Sequence, residues 1–186
     1  MDNEFLNIVD EQGNVIGKET RYKIHREGLL HKIVHVWFYT PDKELIFQRR
    51  GRLAETHPNE LDATAGGHVE IGQSDIQAAL EEVKEETGTL LRAEGLVPIA
   101  VEKFGPGRDE ATGTFNAHLV MVFGHLFRGK LEDLKAESDE DGGISFEIFP
   151  VDKILALTEA EAEKKGFIPA LLKPKYLEIY KKIKKL

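Results

Sequence analysis

The first hydrophobic pattern in the chain is short and interrupted. "FLNIVDEQGNVIG" sets two apolar stretches on either side of a turn containing Gly-Asn, which predicts an N-terminal β-hairpin. "HKIVHVWFYT" (31–40) is rich in β-branched and aromatic residues and is apolar on both faces, the pattern of a central strand. "PDKE" turns the chain into "LIFQRR" (45–50), "RLAETHPNE" reads as a loop, and "LDATAGG" predicts one strand ending in two glycines. A helical period follows. Further strands are predicted in "EGLVPIAVEKF" (94–104), "TFNAHLVMVFGHLF" (114–127) and "ISFEIFP" (144–150), with "GPGRDEATG" as a turn and "AESDEDGG" as an acidic loop. The chain ends in helical text, "TEAEAEKK" (158–165) and "PKYLEIYKKIKKL", the latter packed through Tyr176, Leu177, Tyr180 and Ile183. The alternation predicts an α/β (α+β) fold, a mixed sheet with helices on its faces. With no repeat and no linker, residues 1–186 are expected to form a single domain.

The central helix has clear ends. Ser74 with Gln77 makes a capping box, and Gly88 supplies the stop. Ile76, Ala79, Leu80, Val83 and Thr87 form the stripe expected to pack on the sheet. Glu82, Glu85 and Glu86 share a neighbouring face, while Glu81 points elsewhere. Like charges at these spacings cost about 0.2–0.5 kcal/mol a pair, and the negative end of the helix dipole adds to the penalty. Lys84 offsets only part of it. A solvated acidic face would tolerate that cost; a divalent cation would remove it. Mg2+ or Mn2+ takes oxygen ligands, one or two carboxylates together with water and substrate phosphates. The glycine pair Gly66-Gly67 at the preceding strand end leaves room for a metal or phosphate to approach the backbone.

Charge and composition narrow the partners. The net charge of −8 argues against nucleic acid and anionic membrane as partners and leaves a small molecule. The chain has no cysteine, which removes disulfides, thiolate zinc sites and thiol nucleophiles. No apolar run is long enough to span a bilayer and the N-terminus lacks a signal core, so a cytoplasmic protein is expected. A homodimer is compatible with the sequence.

The stretch from Gly67 to Thr89 resembles the Nudix box: Gly, five residues, Glu, seven residues, Arg-Glu-apolar-any-Glu-Glu-any-Gly-apolar. Gly67, Glu82, Val83, Glu85, Glu86 and Gly88 fall in register, and Gln73, Glu81 and Thr89 depart from it. The resemblance implies the Nudix fold, a mixed sheet sandwiched between helices, here with an extra N-terminal hairpin. It implies a metal-dependent hydrolase cleaving a diphosphate linkage in a nucleoside diphosphate derivative or a similar small organic diphosphate. Metal would be held by the Gly66 carbonyl and by Glu82, Glu85 and Glu86. The base would be Glu82 or, as in many family members, a carboxylate of the later acidic loop, where Glu140 is the candidate. Arg49 and Arg50, at the end of a strand, and His68, beside the double glycine, are candidate substrate contacts. Trp37 or Phe47 offers a surface for stacking on a base, against the commoner role of strand aromatics as core.

Outside the box the chain looks like the branch that includes isopentenyl diphosphate isomerase. His25, His31 and His68 match the metal-binding histidines of that enzyme, and its two later carboxylates fall near Asn116 and His118. Its catalytic cysteine falls at Gly66, so one acid/base group is missing and isomerisation is rejected. A Nudix-fold binding or regulatory module is the alternative to the hydrolase, because Gln73 stands where the box has Glu and Glu81 where it has Arg. His35, His57 and His125 have no pattern around them and receive no role.

Overall fold

The computed structural model describes residues 4–108, 113–138 and 142–186. β1 (Phe5–Val9) and β2 (Val15–Thr20) form the expected antiparallel hairpin. Asp10 closes its turn by accepting hydrogen bonds from the N–H groups of Gln12 and Asn14, each at 2.9 Å. α1 (Arg21–Glu27) follows at once, capped by Thr20 and stopped by Gly28, whose φ of 66° is left-handed.

The main sheet is built around β3 (His31–Tyr39), with β4 (Glu44–Arg49), β5 (Leu61–Asp62), β6 (Ala65–His68), β7 (Val97–Arg108), β8 (Phe115–Leu126) and β9 (Ser145–Pro150). Its path is β5-β4-β3-β8-β7, with β6 also on β3 and β9 on β4. β3 and β8 run parallel and the other pairs antiparallel, so the sheet is mixed. α2 (Asp75–Thr87) covers one face, burying Val34, Val36, Phe38, Ile46 and Ala65 under Ala78, Ala79 and Val83. On the other face, α3 (Val151–Leu155), α4 (Glu159–Lys165) and α5 (Pro174–Ile183) cover Ile33, Trp37, Phe47, Val120 and Val122. Among the described residues, no helix is long and apolar enough to cross a membrane.

Three local expectations change. "LDATAGG" is two short strands, because Thr64 fills the gap where β3 and β4 splay apart. Its hydroxyl accepts from the Phe38 N–H at 2.9 Å and donates to the Ile46 carbonyl, bridging the backbones of Phe38 and Ile46 where the short β3–β4 pairing ends. β7 begins three residues late, after a 3₁₀ turn at Ala93–Gly95, and runs on through Arg108. "GPGR" is therefore strand and not turn: β8 pairs with it through Asn116 and Phe115, and a register irregularity between Phe104 and Gly107 absorbs the proline. The buried stripe of α2 is also turned: Ala78 is buried and Ile76 stays 41% exposed. Two alanines side by side let the helix lie close to the glycine strand, which brings Glu82 and Glu86 over it. Trp37 and Phe47 are fully buried against each other, ring centroids 5.0 Å apart, so neither offers a face to a base.

Candidate functional site

The carboxylates of α2 sit against the end of β6. The Gly66 N–H donates to Glu86 Oε2 at 2.9 Å. A Cβ on Gly67 would meet the Glu82 carboxylate, so a side chain there would push that carboxylate out of its place. A Cβ on Gly66 would lie 2.7 Å from the Val34 carbonyl oxygen, so residue 66 is confined as well. Burial, reinforced by the Glu85 and Glu81 charges, pushes Glu82 up to about 7. Burial and the Glu82 charge push Glu86 up to about 8, although the Gly66 N–H and the Gln48 side chain favour its ionised form. Glu85 is exposed, and its pKa is raised by partial desolvation and by Glu81 and Glu137. Crowded carboxylates of this kind, beside backbone without side chains, fit a hard divalent cation.

Two of the three departures from the box pair with each other: Gln73 Nε2 donates to Glu81 Oε2 at 2.5 Å. Gln73 Oε1 accepts from the Glu70 N–H at 3.0 Å, which anchors the loop before α2. At the far end of the helix, the N–H groups of Lys135 and Glu137 donate to the Thr87 and Glu85 carbonyls at 2.9 and 2.7 Å, satisfying groups that a helix end leaves open. The acidic segment thus departs from the last turn of α2, with Lys84 bridging to Glu137 at 3.2 Å. Glu140, the candidate base in that segment, lies outside the described residues.

A second cluster lies on the opposite face of the sheet. His25 from α1, His31 from β3, His68 from β6 and His118 from β8 converge, and one ligand nitrogen from each of His25, His31 and His118 falls within 4.8 Å of the others. His31 Nδ1 donates to the Leu29 carbonyl at 2.9 Å, which leaves the Nε2 lone pair buried and unpartnered. His118 Nε2 is likewise buried without a partner. His25 Nδ1 donates to Asn116 Oδ1 at 3.3 Å, so its Nε2 accepts from His68 Nε2 at 3.2 Å. Burial lowers all four, His31 to about 4, His68 to about 3 and His118 well below the usual imidazole range, so the rings are neutral. Neutral imidazoles, with the Nε2 lone pair of His31 unpartnered, suit a borderline ion such as Zn2+ better than Mg2+. His68, expected as a substrate contact, sits in this cluster.

The two arginines part company. Arg49 is engaged by Glu147 at 2.6 Å and by the Asn59 and Lys165 carbonyls at 2.6 and 3.1 Å, tying β4 to β9 and the end of α4. Its guanidinium is a structural clamp rather than a group aimed at phosphate. Arg50 pairs with Asp62 at 3.1 Å and lines a cavity of ≈ 20 Å³ with Glu86, Gln48 and His35. Gln48, Asp62 and His35 carry no sequence pattern, since each acts through neighbours distant in the chain. A polar residue at a buried strand position, as at Gln48 and His35, was the one available signal.

A mixed sheet between helical layers, with a carboxylate helix laid over a glycine strand end, defines the class: an α+β hydrolase scaffold built to present acidic side chains beside bare backbone. Residues 29–171 match the NUDIX domain, and the chain belongs to that family. An uncharacterized Nudix hydrolase of Clostridium acetobutylicum is 30% identical over 149 residues, covering 77% of this chain and 69% of the relative. An uncharacterized Nudix hydrolase of Yersinia pestis is 36% identical over 85 residues; that match covers 46% of this chain and about half, 47%, of the relative. Among solved structures, a protein from Deinococcus radiodurans superimposes with a TM-score of 0.71 at 21% identity, covering 97% of this chain and 99% of that one. A C. elegans Ap4A hydrolase has the same fold at a TM-score of 0.52 and 14% identity, over 83% of this chain and 96% of that one. The protein is a Nudix-type hydrolase.

Proposed function

We propose that this chain, as one Nudix domain, hydrolyses a diphosphate linkage in a small organic diphosphate with Mg2+ or Mn2+, a nucleoside diphosphate derivative being the leading substrate class. The observation that carries this reading is the packing of Glu82 and Glu86 over Gly66 and Gly67, where burial holds both carboxylates far above their ordinary range. Carboxylates so placed destabilise the fold unless a cation joins them. Glu82, Glu85 and Glu86 would hold it together with the Gly66 carbonyl. A divalent ion, when bound, polarises the phosphoryl oxygens and lowers the pKa of a nucleophilic water.

Gly66 and Gly67 keep the approach to that position free of side chains. The Gln73–Glu81 hydrogen bond substitutes for the arginine contacts of the box and steadies the outer side of the helix. Glu82 or Glu140 takes the proton of the attacking water, and Glu140→Gln separates the two by its effect on kcat. The four histidines support a relationship to the isomerase-like branch, read as a second metal position of transition-metal character. Without a thiol, hydrolysis is the reaction that remains.

The test is a product screen of nucleoside diphosphate derivatives, dinucleotides and isoprenoid diphosphates with Mg2+ or Mn2+, beside a Glu85→Gln control. Metal-dependent turnover that falls about a hundredfold in the control is expected. Ligand binding with no turnover across the panel would instead support the binding-module reading, with the missing box arginine as its cause.

A further inference from the structure

His35 lies at a position where sequence pattern assigned nothing, yet its ring borders the cavity beside Glu86. The Tyr176 hydroxyl lies 3.0 Å from its Nδ1, the two residues 141 positions apart. Tyr176 is 4% exposed, and His35 is the one hydrogen-bond partner of its hydroxyl among the described residues. If Nδ1 carried the proton, the buried hydroxyl hydrogen would have no acceptor, at a cost of about 1–3 kcal/mol. Tyr176 therefore donates, and His35 must carry its proton on Nε2. The stack of Tyr176 on Phe104, centroids 4.8 Å apart, fixes the phenol behind the imidazole.

The ring edge that carries Nε2 faces Gly66. A Cβ on Gly66 would fall 2.9 Å from His35 Cδ2 and 3.6 Å from its Nε2, so a side chain at 66 and an imidazole at 35 exclude each other. The cavity, ≈ 20 Å³, is lined by His35, Gln48, Arg50, Asp62, Gly66 and Glu86. It has room for one oxygen atom. Asp62 neutralises Arg50 at 3.1 Å, and the Arg50 Nε is already bound to the Thr56 carbonyl at 2.9 Å. A fixed donor for an incoming oxygen is thus the imidazole N–H.

We propose that His35 is a phosphate-contacting residue, held by Tyr176 as the Nε2–H tautomer, which donates to a non-bridging oxygen of the substrate's diphosphate beside Gly66 and Glu86. This rests on the diphosphate reading of the same site. It assigns recognition of the phosphoryl group to an uncharged donor, which suits a pocket already crowded with carboxylates.

The experiment uses methylenediphosphonate with Mg2+ as the probe. Nitrogen NMR of the histidines should show His35 protonated at Nε2, and that resonance should move when the probe is added. His35→Leu should weaken probe binding by about tenfold to a hundredfold in calorimetry. His35→Gln, whose amide N–H reaches the same point, should recover most of that loss, and Tyr176→Phe should leave His35 a mixture of tautomers with intermediate affinity. Probe bound in a Mg2+-dependent way with the His35 resonance unmoved would overturn the proposal and leave the metal-site reading standing. A wild-type protein that neither binds the probe nor turns over any diphosphate would overturn both.

Discussion

Burial acts on two clusters on opposite faces of this sheet with opposite signs. It raises the glutamates, Glu82 to about 7 and Glu86 to about 8, and lowers the histidines, His31 to about 4 and His68 to about 3. In both places the charged form is the one penalised. The consequences differ. Neutral imidazoles are ready ligands as they stand, whereas the carboxylates must lose protons before they bind a cation. The glutamate cluster is thus under tension that a hard ion relieves, and the histidine cluster is at rest until the solution turns acidic or a borderline ion arrives.

The largest effect that would break this contrast is Glu86→Gln. Activity should fall about a hundredfold, while the metal-free protein at pH 8 should melt at a higher temperature than wild type because a buried charge is gone. Kinetics and calorimetry on one preparation check both halves, and a lower melting temperature would refute the tension. Gly67→Ala should come next, since its Cβ meets the Glu82 carboxylate. Weakened Mg2+ binding with histidine resonances unchanged is the expected result, read by metal titration and NMR.

His118→Leu should lower Zn2+ affinity by about tenfold to a hundredfold and leave the Mg2+ response intact, measured by metal content after dialysis. Loss of both responses would show that the two clusters are one site.

The pH dependence of stability sharpens the comparison further. Carboxylates raised in the folded state contribute stability that is whole below their unfolded value of 4.5 and lost as pH climbs through about 7 and 8. Imidazoles lowered in the folded state contribute stability that is whole above 6.5 and lost as pH falls toward about 4 and 3. Melting in chelator should therefore peak between these limits. Mg2+ should flatten the alkaline side, because it displaces the carboxylate protons. Zn2+ should raise stability without flattening the acid side, because the imidazoles it binds are already neutral; a flattened acid side in Zn2+ would contradict the neutral histidines. The smallest effect belongs to the exposed Gln73–Glu81 pair, where a double-mutant cycle should give a coupling of about 0.5–1 kcal/mol.

What the sequence determined by itself is what neighbours along the chain decide. The capping box at Ser74 and Gln77, the stop at Gly88 and the shared face of Glu82, Glu85 and Glu86 follow from helix geometry, which fixes residues three and four apart whatever surrounds them. The strand at 31–39 is equally local, since its apolar run requires cover on both faces. The site's other half was not legible in this way. His31 meets His118 through the parallel register of β3 and β8, His25 meets Asn116 across 91 positions, and Tyr176 sets the tautomer of His35 across 141. A slip of one residue in β3 would send His31 and His35 to the opposite face, away from His118 and Tyr176. Register is chosen by the packing of the whole sheet, including the Thr64 hydroxyl that bridges β3 and β4. Local text settles which groups exist on a helix face; only the assembled sheet settles which of them meet.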